Sequence, residues 1–150
     1  MLDELRQVLS AAALVTLLPM AAMAQEQETA QIPAEPQLKL SLNAVDPTEN
    51  GCLLTFMAEN GFDSDIGQAV FETVLFSTDG RVERLLLFDM GTLPADRPRV
   101  RRFEVDGITC EGLGSVLING AETCEAGDLG AGVCIGSLSV SSDTEIEIDG

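Results

Sequence analysis

The sequence predicts an all-β fold: an antiparallel β-sandwich of the immunoglobulin-like type, with seven or eight short strands and two disulfide staples. Beyond residue 36, apolar residues recur at every second position, the pattern of strands that bury one face. Turn signals containing glycine and proline separate these runs at the spacing typical of such folds. No window after residue 24 has the periodicity of an amphipathic helix. A small closed β-barrel is the alternative.

The first four strands follow from alternation and one turn. Leucines at positions 38, 40 and 42 alternate with polar residues, and a second alternating run covers residues 52–59. Residues 70–76 are apolar on both faces, which favours a central strand. The Asp79-Gly80 pair joins that strand to residues 82–88 in a predicted hairpin, because both residues tolerate positive φ. Residues 89–98, with one glycine and two prolines, are predicted to be a loop.

The remaining strands are shorter. Residues 99–105 and 115–119 predict a fifth and a sixth strand, with glycines in the turn between them. Two last strands lie near residues 138–140 and 146–148. Their apolar residues alternate with serines in one and with acids in the other, which is typical of protected edge strands.

Four cysteines allow three disulfide pairings. Cys124 and Cys134 flank a glycine-rich loop with little apolar content, so we predict a bridge between them. Cys52 is then left to pair with Cys110, closing a long loop and contributing about 3 to 4 kcal/mol if it is unstrained. The chain has no histidine and no Cys-x-x-Cys motif, so we predict no metal and no cofactor.

The amino-terminal residues predict export. An apolar run over residues 8–24 ends in Ala22-Met23-Ala24, the pattern of a cleaved signal peptide at residues 1–24. A retained membrane anchor is the less favoured alternative, because Pro19 interrupts the run. We expect no stable membrane insertion after cleavage. Residues 25–36 are rich in glutamate and proline and predict a flexible leader, followed by a single domain at residues 37–150. A periplasmic or extracellular location follows, which favours disulfides.

Charge limits the partners. The exported form would carry 23 acidic and 7 basic side chains, which excludes nucleic acid and disfavours anionic membranes. Such a surface attracts cations or basic proteins, although solubility alone also explains it.

Catalysis has little support in the sequence. The chain has no histidine, which removes the commonest general base and the triads that depend on it. Glycosidases use two carboxylates at a defined separation, and nothing singles out such a pair among the acids. We therefore predict no enzyme and no catalytic residues.

Most basic residues lie close together in the sequence. Arg97, Arg99, Arg101 and Arg102 are the candidates for an anion-binding or partner-binding strip. In an extended strand Arg99 and Arg101 share one face, and guanidinium groups suit carboxylates and phosphates. The alternative is that these arginines pair with acids on neighbouring strands.

Two aspartates form a weaker candidate. Asp63 and Asp65 alternate near a glycine and supply oxygens of the type that calcium prefers. The segment lacks the other ligands of a calcium loop, so an ordinary turn is the favoured interpretation.

Several segments resemble a family of small uncharacterised exported bacterial proteins, often labelled Tat pathway signal sequence domain proteins. The segments are GCLLTF at 51–56, AEN at 58–60, ETVLF at 72–76, GRV at 80–82, LFD at 87–89, LPADRPRVR at 93–101 and VLING at 116–120. The resemblance implies export of the protein and supplies no activity or site residues. Only Arg6 precedes the apolar run, so the twin-arginine motif is missing and the general secretory route is equally open.

The function predicted from these observations is that of an exported, acidic binding or envelope-accessory module whose partner is an envelope or secreted protein. One alternative is an inhibitor of a cationic envelope enzyme such as a lysozyme. The other is a calcium or small-ligand binder.

Overall fold

The computed structural model describes residues 34–150. The predicted signal, and residues 25–33 of the predicted leader, lie outside the described residues. The strands are β1 (Leu38–Pro47), β2 (Gly51–Asn60), β3 (Ile66–Ser77), β4 (Val82–Leu93), β5 (Arg99–Asp106), β6 (Leu113–Cys124), β7 (Leu138–Ser142) and β8 (Glu147–Asp149). A four-residue helix, α1 (Val133–Gly136), precedes β7, and 3-10 turns lie at Cys110–Gly112 and Gly127–Leu129.

These strands form two four-stranded sheets. The first has the order β5-β2-β1-β7 and the second the order β4-β3-β6-β8. The sheets pack together around one hydrophobic core, which confirms the sandwich, and no closed barrel forms within residues 34–150. Four of the six strand pairings are antiparallel, while β7 and β8 each pair in parallel with their neighbours. Both lie at sheet edges, as their serines and acids predict.

The alternating leucines of β1 point into the core. Leu38, Leu40 and Leu42 are almost fully buried, and they pair across the sheet with the alternating run of β2. Burial of each such side chain contributes about 1.5 to 3 kcal/mol relative to exposure. In the second sheet β3 is an inner strand, as its apolar residues predict, and Phe71 and Leu75 are fully buried.

The predicted loop at residues 89–98 is wrong in its first half. Strand β4 continues to Leu93, and only residues 94–98 connect it to β5. Met90 and Leu93 are buried, so the core extends to the end of the strand. Gly91 lies within the strand at φ 64, where the register with β3 shifts. A glycine at positive φ is compatible with a β-bulge, which the loop prediction did not consider.

The predicted hairpin is confirmed. The Ser77 N–H donates to the carbonyl of Arg81 at 2.9 Å, and Gly80, at φ 78, donates to the carbonyl of Ser77 at 2.9 Å. Glycine supplies this positive φ at no steric cost.

Both predicted disulfides are present. Cys52 of β2 is bonded to Cys110 at the start of a 3-10 turn, with an S–S distance of 2.03 Å. Cys124 at the end of β6 is bonded to Cys134 of α1, at 1.97 Å. Between residues 34 and 150 the structure has no helix of the length and apolarity that crossing a membrane requires.

Candidate functional site

The predicted arginine strip lies on β5 and on the loop before it. Arg99 and Arg101 are half-buried and share the inward face of β5, while Arg102 is exposed on the opposite face. Arg97 is exposed in the preceding loop. The structure thus places Arg99 and Arg101 on one face, as predicted, but Arg97 and Arg102 do not extend that row.

Arg101 crosses from one sheet to the other. Its Nε donates to the carbonyl of Met90 at 2.8 Å, and its Nη1 donates to the carbonyl of Val100 at 3.0 Å. Met90 belongs to β4, the edge strand of the second sheet, and β5 is an edge strand of the first. Two backbone carbonyls therefore occupy this guanidinium, which links the sheets along one side of the sandwich.

Aromatic packing reinforces the same side. The rings of Phe88 on β4 and Phe103 on β5 stack with centroids 4.2 Å apart and an interplanar angle of 6°. Phe56 of β2 packs against both at a tilt. Such pairs stabilise by about 0.5 to 1.5 kcal/mol beyond their area burial. Arg101 thus lies on the same side of the sandwich as these rings, and its hydrogen bond to Met90 favours a structural role.

The alternative interpretation, pairing of the arginines with acids on neighbouring strands, is not observed within residues 34–150. In residues 34–150 the ion pair within 4 Å is Arg81 with Asp79, at the exposed tip of the hairpin. Arg99 donates from Nη1 to the carbonyl of Pro98 at 3.2 Å. Exposed pairs of this kind contribute little to stability.

The two candidate calcium ligands differ in their surroundings. Oδ1 of Asp65 accepts a hydrogen bond from the Ala95 N–H at 2.8 Å, which ties the loop after β2 to the loop after β4. Asp63 is exposed. In the part of the chain that the structure describes, no three or more acids, cysteines or histidines are grouped as metal ligands would be.

A buried asparagine organises the turn that contains these aspartates. Asn60 is 1% exposed, and its Nδ2 donates to the carbonyls of Ser64 and Leu93 at 2.9 and 2.8 Å. Its Oδ1 accepts from the Phe62 N–H at 3.0 Å. The side chain thus has partners at both ends, and its three hydrogen bonds set the local backbone.

One cavity of about 350 Å³ opens beside Asn60. Charged side chains of both signs line it, namely Lys39, Glu59, Asp96 and Arg97. Lys39 and Glu59 face each other across the β1–β2 pairing. Asp96 has a positive φ of 52, and its N–H donates to the carbonyl of Asn60. The mixed charges of this cavity favour no single class of ligand.

The outer face of the second sheet carries an exposed apolar surface that the sequence interpretation missed. Val82, Leu85 and Leu87 of β4 are 63%, 55% and 55% exposed. The residues facing them across β3 and β6 extend the same surface, because directly paired residues lie on one face of a sheet. We call five residues of this face the apolar strip: Phe76, Val82, Leu85, Leu87 and Leu117. Val74 lies on the same face but is buried, at 7% exposed.

Acids flank this strip on two sides. Register places Asp149 beside Leu117 and Glu147 beside Ser115, at the β8 end of the strip. Glu72 lies opposite Leu87, and Asp89 opposite Val70. We call these four acids the acidic rim. No lysine or arginine occupies the paired positions that hold the strip and rim, whereas the outer face of the first sheet includes Lys39 and Arg102.

The sequence does contain a signal for this surface. Residues 85–88 read Leu-Leu-Leu-Phe, so the run is apolar on both faces. Such a run is typical of a strand covered on both sides. Here β4 is an edge strand whose outer face is bare, so two of the leucines are left exposed.

Comparison with known proteins finds no matching family model, no matching curated protein and no matching solved structure. The resemblance drawn from the sequence therefore stays a prediction.

Proposed function

We propose that this protein is an exported binding module that holds a basic protein of the envelope or of the secreted fraction. The observation that carries the proposal is the apolar strip flanked by the acidic rim on the outer face of the second sheet. The two disulfides suit an oxidising compartment outside the cytoplasm.

The apolar strip supplies binding energy. Isolated exposed apolar residues are normal on proteins, but a contiguous patch rimmed by polar groups marks an interaction site. Val82, Leu85 and Leu87 each retain more than half of their side-chain surface for a partner to cover. Covering that fraction contributes on the order of 1 kcal/mol for each side chain.

The acidic rim selects the partner's charge. A second copy of this chain, or an anionic lipid surface, would place like charges against Glu72, Asp89, Glu147 and Asp149. A basic protein would pair with them, and long-range attraction would raise its association rate. A small basic envelope enzyme such as a lysozyme fits this charge, and binding over its active-site cleft would inhibit it.

Calorimetric titration with a lysozyme and two unrelated basic proteins tests the proposal. We expect the exported form to bind at least one of them at physiological salt. The double variant Leu85→Ser/Leu87→Ser should lose at least tenfold in affinity. Val100→Ser is the matched control, because Val100 is 56% exposed on the other sheet.

The outcomes separate specific binding from charge attraction. Equal affinity for the wild type, the double variant and the control would show that net charge alone attracts the probes. Absence of binding to every basic protein at low salt would also overturn the proposal. Far-ultraviolet circular dichroism of each variant checks that the fold is retained.

A further inference from the structure

The four sheet edges of this sandwich are not equally protected. The edge strands are β4, β5, β7 and β8. Strand β5 carries three arginines and two acids, β7 has five residues of which three are serine, and β8 has three residues of which two are acidic. Short length and charge are the usual means of preventing an edge from pairing with another chain.

Strand β4 has such protection only at its two ends. At one end the register with β3 shifts around Glu83, and Arg84 lies opposite the buried Leu75, on the inward side. An irregular register and an inward-facing charge both oppose pairing. At the other end the Arg101 guanidinium covers the Met90 carbonyl, and Gly91 forms a bulge.

The middle of β4 lacks these features. Residues 85–89 pair with β3 in unbroken register, and only Asp89 among them is charged. The sheet ends at β4, so the backbone edge of this stretch that faces away from β3 has no neighbouring strand. Leu85 and Leu87 are exposed for the same reason. This is an extended, regular and apolar edge, the kind to which a segment of another chain adds as a strand.

We infer that the partner binds by adding an extended segment to residues 85–89 of β4, as a fifth strand of the second sheet. The inference rests on the proposed function and names the part of the partner that is recognised. Side chains of an added strand lie beside those of its neighbour on the same face. The segment therefore places apolar residues beside Leu85 and Leu87, and a basic residue beside Asp89.

Charge distinguishes this partner from a second copy of the chain. Self-pairing of two β4 edges places no lysine or arginine beside Asp89, because residues 85–88 are all apolar. It also joins two sheets that each carry an acidic rim. A suitable segment has apolar residues in alternation with polar ones and ends in a basic residue. Its apolar residues pack against the two leucines, and its basic residue pairs with the Asp89 carboxylate.

A short synthetic peptide provides the probe. It alternates valine with threonine and has lysine at both ends, so that it fits in either chain direction. Two derivatives carry N-methyl groups, one on the valines and the other on the threonines. Successive N–H groups of a strand point to opposite edges, so strand addition uses only one of the two sets.

We expect the unmodified peptide to bind the full exported protein. One N-methylated derivative should bind with an affinity within about threefold of the unmodified peptide's, and the other with an affinity at least tenfold lower. Hydrogen exchange should slow at amides within residues 85–89 when the unmodified peptide is present, and not at amides of β7. Equal affinities of the two derivatives, or no binding of the unmodified peptide, would overturn strand addition.

The result is independent of the test of the proposed function. If a basic protein binds through the apolar strip but the two derivatives bind alike, the proposed function stands and strand addition is overturned. If the protein discriminates between the derivatives but binds no basic protein, strand addition stands and the proposed function is overturned. A dimer in sedimentation whose amides at residues 85–89 are protected without peptide would assign the edge to a second copy and overturn the inference.

Discussion

Single side chains connect the loops at one end of this sandwich. Asn60 bonds three backbone groups, two in the loop after β2 and one at the end of β4, while being 1% exposed. Its replacement by leucine leaves these backbone groups without their partner, and each unpaired buried group costs about 1 to 3 kcal/mol. We expect Asn60→Leu to lower the free energy of unfolding by about 3 kcal/mol or more, measured by urea denaturation with the disulfides intact.

Asn43→Leu provides the comparison for that variant. Asn43 also lies in the first sheet, but its side chain is exposed and donates to Asp143 at 3.2 Å. An exposed group regains water when its partner is lost, so we expect a change within about 0.5 kcal/mol. Similar losses in both variants would mean that the buried hydrogen bonds of Asn60 are not what stabilises the turn.

The stability of an Arg101 variant distinguishes a binding role from a structural role for this arginine. Its Nε bonds the Met90 carbonyl of the opposite sheet. We expect Arg101→Ala to destabilise the fold by about 1 to 2 kcal/mol in thermal unfolding, since hydrogen bonds of charged groups contribute about that much when partly buried. Arg102→Ala, which removes an exposed guanidinium on the other face, should leave the melting temperature nearly unchanged. An unchanged melting temperature for Arg101→Ala would return this residue to the candidates for anion binding.

At the scale of strands, the backbones of β2 and β5 approach so closely at the start of β2 that a side chain does not fit at Gly51. A Cβ built on Gly51 would lie 1.9 Å from the Val105 carbonyl oxygen of β5. The two strands must then separate, at a cost of about 2 kcal/mol or more, typical of overpacking at a site that cannot relax. We expect Gly51→Ala to reduce the midpoint of guanidinium unfolding strongly.

Gly120→Ala is the matched control for that change. Gly120 also lies in a strand, β6, and nothing comes within 4 Å of a Cβ placed there. Alanine at an unstrained position reduces the entropy of the unfolded chain, so its effect should be neutral or slightly stabilising. A larger loss at Gly120 than at Gly51 would contradict the close-approach argument.

Strand prediction from the sequence succeeded where one face of a strand is buried. The leucines of β1 and the Asp79-Gly80 turn are local signals, and both led to the observed elements. The run at 85–88 is equally apolar on both faces, and only the position of β4 at a sheet edge leaves Leu85 and Leu87 exposed. Sheet order is a long-range property, so local alternation carries no signal for it. The contact of Arg101 with Met90 is missed for the same reason.

At the scale of the whole molecule, like charges oppose the folded state. The exported form is predicted to carry 23 acidic and 7 basic side chains, and within residues 34–150 a single ion pair forms, on the surface. Salt shortens the screening length from about 30 Å at 0.01 M to about 8 Å at 0.15 M. Repulsion between distant carboxylates then weakens in the compact state more than in the expanded unfolded chain.

We therefore expect the melting temperature to rise when sodium chloride is increased over this range. Differential scanning calorimetry measures the shift, and a constant or falling melting temperature would contradict dominant self-repulsion.

Comparing melting temperatures in calcium chloride and in magnesium chloride at equal ionic strength tests the two aspartates near Asn60, Asp63 and Asp65. Screening treats the two cations alike, whereas a calcium site at Asp63 and Asp65 would add a rise proportional to the logarithm of free calcium, lost in Asp63→Asn. Because residues 34–150 hold no group of three or more acids, cysteines or histidines around these aspartates, we expect equal melting temperatures in the two salts.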